Sequence, residues 1–213
     1  VKKFISWLIR RAKPSSEGIE PPRPPHSDYS TPEYTVKEHI SKRKWECVRG
    51  IGKSFGYNAE EKESDFLTGD ELIHMLIDIV SKNGNLLLNI GPKKDGSIPD
   101  VQIDRLKSLG RWLGVNGNGI FETRPWLIAT TKTECGLDIR FTAKENLLYI
   151  FILGQPKTDL IKFSLDDTYR KIILEQEAEL LGGEATTVQV IGEQISLTAN
   201  WLNSSAQCLK LKV

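Results

Sequence analysis

The sequence predicts an α/β portion followed by an all-β portion: the closing segment of a (β/α) barrel, then an antiparallel β-sandwich. Three observations carry this. A helix, a strand and a second helix follow one another between residues 68 and 117. The strand, Asn85-Leu86-Leu87-Leu88-Asn89-Ile90, is a continuous apolar run closed by Gly91-Pro92, the signature of a fully buried parallel strand that turns abruptly into a loop. After Pro125 the apolar residues instead alternate in short runs broken by turn residues, as antiparallel strands do.

Along the chain, Val1-Lys2-Lys3-Phe4-Ile5-Ser6-Trp7-Leu8-Ile9-Arg10-Arg11 suits an amphipathic helix or a disordered start, being too short for a signal h-region and lacking a small-residue cleavage site. Residues 14–32 are rich in proline and serine, the composition of an extended linker or loop. From Trp45 to Tyr57 glycines interrupt an aromatic run, which fits a strand end feeding a loop close to a ligand. Thr68-Gly69-Asp70-Glu71 is a capping box. Leu72, Ile73, Leu76, Ile77 and Val80 then recur at helical spacing, with Gly84 as the left-handed stop. A second helix starts at Pro99, turns Ile103, Leu106, Leu109 and Leu113 inward, and ends near Gly117. The sandwich strands centre on Ile139, Ile150, Phe163, Val188, Ile195 and Leu209, and Trp126 is expected to fill the interface between the two portions. The division is therefore 1–25 as an N-terminal segment and linker, 26–123 as the α/β domain and 124–213 as the sandwich.

Composition narrows the function classes. A net charge of +1 argues against a nucleic-acid footprint, and no stretch approaches the length of a membrane span. The three cysteines, Cys47, Cys135 and Cys208, form no Cys-x-x-Cys pair, which favours a reducing, cytoplasmic compartment and argues against a zinc site. The three histidines lack metal-ligand spacing, and His74 is expected to be a packed or surface residue. No cofactor is expected.

Three blocks, in order, resemble the α-L-fucosidases of glycoside hydrolase family 29. They are Asp28-Tyr29-Ser30-Thr31-Pro32-Glu33-Tyr34; Lys44-Trp45-Glu46-Cys47 with Arg49-Gly50-Ile51-Gly52 and Ser54-Phe55-Gly56-Tyr57-Asn58; and Val80-Ser81-Lys82-Asn83-Gly84 through Ile98-Pro99 to Thr123-Arg124-Pro125-Trp126. The resemblance covers residues 26–126 and implies that the α/β portion holds the last units of a (β/α)8 barrel. It also implies retaining hydrolysis of terminal α-L-fucose, with two carboxyls about 5–5.5 Å apart, one attacking the anomeric carbon and the other serving as acid and then base. Glu33 matches the acid/base position, where Tyr29, Pro32 and Tyr34 would form apolar walls. Phe55 matches an aromatic that packs on the sugar, and the C6 methyl of fucose gives that aromatic a physical purpose. Glu46 is the runner-up carboxyl, as an alternative acid/base, for substrate binding or for support of the site.

The resemblance is incomplete. The nucleophilic aspartate of the family, in a Trp-Asn-Asp-like segment, has no counterpart here, and the first 24 residues differ from the stretch expected before the Glu33 block. A truncated gene piece, a reading-frame shift near residue 24 or a recombined protein would each produce this. The expected partners are a fucosylated carbohydrate and the missing amino-terminal barrel half, with homo-oligomerisation of the complete enzyme left open. The chain alone is expected to be inactive. A competing expectation makes the sandwich a carbohydrate-binding or interaction module, with Trp201 and Tyr149 as its aromatic platform.

Overall fold

The computed structural model describes residues 26–173 and 176–213. The expectations for residues 1–25 lie outside this range. The described chain forms three layers: a small parallel sheet, a pair of helices, and a rolled antiparallel sheet.

The parallel layer contains β1 (Trp45–Gly50) and β2 (Gly84–Asn89), joined through helix α1 (Gly69–Ser81). A third extended segment runs beside β1, with Ser30 bridged to Trp45 and Glu33 to Val48, both in parallel sense. The capping box at Thr68 forms as the sequence predicts: its hydroxyl accepts from the Glu71 N–H at 3.2 Å, and the Glu71 carboxylate accepts from the Thr68 N–H at 2.8 Å. The Thr68 N–H and the Thr68 hydroxyl, which donates to the same carboxylate at 2.9 Å, hold the Glu71 carboxyl below its usual pKa. The helix stop differs from expectation. Asn83, with φ of 69°, takes the left-handed position, and Gly84 begins the strand. Gly84 is required for space, because a Cβ there would lie 2.5 Å from two carbons of the Trp45 ring.

The strand 84–89 departs from expectation in one respect. Residues 85–90 read as fully buried, yet Leu87 is 45% exposed. One face of the parallel layer, carrying Trp45, Cys47 and Leu86, packs on Ile79 and Met75 of α1. The opposite face is open among the described residues, and β2 has a strand neighbour on one side only. The same shortage of cover affects helix α2 (Asp100–Asn116), N-capped at Pro99 as expected. Ile103, Leu106, Leu109 and Leu113 are only half-buried, and the side chains that α2 buries are Gln102, Trp112 and Asn116. A cleft of about 430 Å³ separates Leu109 and Leu113 from Leu86 and Leu88 of β2.

The remaining strands are β3 (Arg124–Lys132), β4 (Asp138–Lys144), β5 (Leu147–Leu153), β6 (Leu160–Ser164), β7 (Gln176–Leu180), β8 (Ala185–Ile191), β9 (Gln194–Thr198) and β10 (Ala206–Lys212), with a short helix α3 (Asp167–Arg170) between β6 and β7. They form one eight-stranded antiparallel sheet in the order β3-β4-β5-β10-β7-β8-β9-β6. The expected antiparallel sandwich is consistent with this arrangement, its two layers being parts of one continuous sheet that rolls over on itself. A register shift in β3 between Pro125 and Thr130 bends the strand, and a bridge from Thr133 to Phe163 brings the two edges together. One core, including Phe141, Ile150, Phe163, Val188, Leu197 and Leu209, fills the roll.

Strand β5 explains how the layers join. Leu148, Ile150 and Ile152 point into the roll, while Tyr149, Phe151 and Leu153 point out and are buried beneath α1 and α2. A strand covered on both faces has no polar face to show, hence the unbroken Leu-Leu-Tyr-Ile-Phe-Ile-Leu. Trp112 fills this interface, its ring 6.2 Å from Phe151 and its Nε1–H donating to the Ala206 carbonyl at 3.0 Å. Trp126, expected there, lies instead inside the roll against Phe141 and Tyr169. Polar groups add to the junction: the His74 Nε2–H donates to the Ser205 carbonyl at 2.7 Å, and Asp78 pairs with Arg140 and with Lys82.

Candidate functional site

The backbone ladder beside β1 fixes where Glu33 lies. The Val48 N–H donates to the Pro32 carbonyl at 3.1 Å, and the Tyr34 N–H donates to the Val48 carbonyl at 3.1 Å. Paired residues of parallel strands share a face. Glu33, Val48 and Leu87 therefore form one row across three extended segments, and that row belongs to the open face. The Glu33 side chain is solvent-exposed and accepts no hydrogen bond and joins no ion pair among the described residues. Tyr29 and Tyr34, expected as apolar walls around it, are themselves 51% and 38% exposed.

Phe55 is brought close to this row by the loop after β1. Gly50 ends the strand where a side chain cannot fit, since a Cβ would lie 2.3 Å from the Ser54 carbonyl oxygen. Its N–H donates to the Tyr34 hydroxyl at 3.2 Å, and the Tyr34 ring meets Phe55 edge-on with centroids 5.1 Å apart. Tyr34 adopts φ of 51°, which turns its side chain away from the extended direction of Thr31–Glu33. The Asn89 side-chain amide, at the end of β2, donates to the Phe55 carbonyl. Glu33, Tyr34 and Phe55 thus share the carboxyl ends of the parallel segments, with Tyr34 as the bridge.

Glu46 occupies the same face two residues earlier on β1. In register with Asn85, its carboxylate accepts from the Asn85 side-chain amide at 2.6 Å. The rise of about 3.3 Å per residue sets it roughly 7 Å below the Val48 row, toward the amino ends of the strands.

Sequence reasoning missed Glu61. Its Oε1 accepts from the N–H groups of Lys53 and Ser54 at 2.8 and 2.9 Å, pinning the loop that carries Phe55. Nothing in the acidic run Glu60-Glu61-Lys62-Glu63 marks which glutamate folds back. In the loop after β2, Asp95 accepts from the N–H and hydroxyl of Ser97 at 2.9 and 2.7 Å, bonds that hold its carboxyl below the usual range.

The rolled sheet offers little for the competing expectation of an aromatic platform. Tyr149 is buried beneath the helices, and Trp201 is half-buried with its Nε1–H donated to the Asp159 carbonyl. Among the described residues no three of His, Cys, Asp and Glu gather as a metal site, and no helix is long and apolar enough to cross a membrane. Cys47 and Cys208 are buried free thiols whose burial raises their pKa, while Cys135 is exposed.

Comparison with known proteins places this geometry in context. The family model described as Alpha-L-fucosidase matches residues 1–118, beginning ahead of the first block of the resemblance. The alpha-L-fucosidase of Branchiostoma floridae is 39% identical over 120 residues, covering 56% of this chain and 26% of that protein. The plasma alpha-L-fucosidase of Pongo abelii is 38% identical over 168 residues, covering 78% of this chain and 32% of that protein. A crystal structure of Thermotoga maritima alpha-fucosidase in complex with fucose superposes with a TM-score of 0.76 at 38% identity, over 87% of this chain and 42% of that one. The chain thus spans about a third or less of the length of these two curated relatives.

Proposed function

From the premise that this chain belongs to the α-L-fucosidase family, we propose that it is the carboxy-terminal portion of a retaining α-L-fucosidase that removes terminal α-L-fucose from glycoconjugates or oligosaccharides. In this reading the segment at 30–33, β1 and β2 are the last strands of a (β/α)8 barrel. Their open face is the barrel interior, and their carboxyl ends are its mouth, where such barrels carry their catalytic groups. The observation that carries the reading is the row Glu33–Val48–Leu87, which presents one unpaired carboxyl and an exposed leucine on a face that further strands would cover.

The chemistry follows from the carboxyl. A nucleophilic carboxylate on the amino-terminal portion attacks the anomeric carbon while the C1–O bond breaks, and Glu33 gives its proton to the departing oxygen. Glu33, now ionised, takes a proton from water as the water oxygen bonds to the same carbon and the nucleophile leaves. Each step inverts C1, so the pair retains its configuration. Covering the open face would also exclude bulk water from the surroundings of Glu33. Phe55 faces the C6 methyl, and Glu46, bonded to Asn85, supports the interior below the site.

The 213-residue chain alone is expected to give no turnover of an aryl α-L-fucoside. Co-expressed with the amino-terminal portion of a fucosidase of this family, it is expected to release the aryl alcohol at a rate at least tenfold above either part alone. Assembly of the two parts without turnover would refute the proposal.

A further inference from the structure

We propose that Glu61 is a positioning residue that sets the Phe55 loop and thereby the preference for a 6-deoxy sugar over its 6-hydroxylated counterpart, a proposal that rests on the functional reading above. The loop between β1 and the short 3-10 helix at Glu63–Asp65 has no strand or helix of its own. Its shape must come from discrete contacts, and Glu61 supplies the densest of them. One carboxylate oxygen takes two successive N–H groups, from Lys53 and Ser54, immediately before Phe55. Bonds from backbone N–H groups to an ionised acceptor are roughly twice as strong as neutral ones.

The fit is close. A Cβ at Gly52 would stand 2.9 and 3.0 Å from the two Glu61 carboxylate oxygens, so the glycine makes room for the acid. Downstream, Gly91 allows the Tyr57 backbone to approach β2, since a Cβ there would lie 2.6 Å from the Tyr57 nitrogen. Phe55 sits between these two anchors, with its carbonyl held by Asn89 and its ring edge-on to Tyr34. Release of the Glu61 anchor frees the segment just before Phe55 while leaving Glu33 on its own ladder. The consequence falls on the sugar methyl and not on proton transfer. A hydroxyl at C6 loses hydration against an aromatic face, whereas a methyl gains from the contact, so the ring discriminates between the two only while it is held in place.

The test uses the chain completed by the amino-terminal portion, with aryl α-L-fucoside and aryl α-L-galactoside, two sugars that differ only in the C6 hydroxyl. Glu61→Ala is expected to lower the fucoside-to-galactoside ratio of kcat/KM about fivefold, through KM, with kcat on fucoside kept within about twofold. Glu61→Gln, which keeps an acceptor oxygen, is expected to fall between. Phe55→Ala is expected to lower the ratio at least as far, and adding Glu61→Ala to it to change nothing more, because residues acting through one another are not additive. An unchanged ratio in Glu61→Ala, or full additivity with Phe55→Ala, would overturn the proposal. Amide hydrogen exchange on the 213-residue chain separates this claim from the functional reading. Protection at Lys53 and Ser54 is expected to drop in Glu61→Ala. If the completed enzyme cleaves neither sugar, the functional reading fails, and unchanged protection at those two amides overturns the positioning claim independently.

Discussion

Glu33→Gln in the completed enzyme is expected to lower kcat/KM on a fucoside with an alcohol leaving group by about 10²- to 10⁴-fold, the usual worth of a positioned general acid. Glutamine keeps the size and hydrogen-bonding shape of the side chain but has no proton to give. The Glu33 backbone is held by neighbours whose bonds with Val48 do not involve the side chain, so the fold is expected to survive. The loss should depend on the leaving group. A strongly activated aryl oxygen departs without protonation, so its first step is nearly spared while the second still lacks a base. Azide, a nucleophile that needs no deprotonation, should then restore turnover of the activated substrate. Equal loss on all leaving groups without rescue by azide would make Glu33 a structural residue.

Trp112→Ala is expected to have the largest effect on stability. Truncating a buried aromatic costs about 3–5 kcal/mol, and here the change also removes one of the donors to the Ala206 carbonyl, leaving it the Ser204 hydroxyl. Against a typical total of about 5–15 kcal/mol, that is a large share of the stability. Trp112 joins two layers through one cluster with Ile73, Ile77, Phe151 and Cys208, so loss of its ring should weaken both together. Urea unfolding followed by near-UV and far-UV signals is expected to show one coincident transition, shifted to lower urea. If only the helical signal moved, the rolled sheet would be an independent unit and the description of a shared core would be wrong. Trp201→Ala, at a half-buried position, serves as the milder comparison.

Local chemistry was the most legible part of the sequence. The Thr68 capping box, the Pro99 helix start and the turn residues between the short runs after Pro125 all depend on a few adjacent residues, and in those turns Glu145, Gly154, Gly182 and Gly192 have positive φ in the structure. Strand β7 escaped notice because its run Gln176-Glu177-Ala178-Glu179-Leu180 looks charged. Only its alternate positions Ala178 and Leu180 face the core. Strand β3 was obscured by its proline and its register shift. Facts that depend on distant partners were not legible either. Trp112 and Trp126 look alike in sequence, and which one lies between layers is decided by helix α2 docking on β5. The expectation of full burial at residues 85–90 came from composition alone, and composition does not tell whether the covering face is present. At the candidate site, the blocks around Glu33 and Phe55 suggested proximity, while the bridge through Tyr34 and the anchor at Glu61 follow only from the folded loop.

The most direct measurement is a crystal structure of the completed enzyme with fucose bound. The expected result is a Glu33 carboxyl within hydrogen-bond reach of the anomeric oxygen and about 5–5.5 Å from the attacking carboxylate across the sugar, the spacing of a retaining pair. A separation of about 6.5–9.5 Å would indicate an inverting enzyme, and a Glu33 side chain outside the barrel mouth would contradict the assignment altogether.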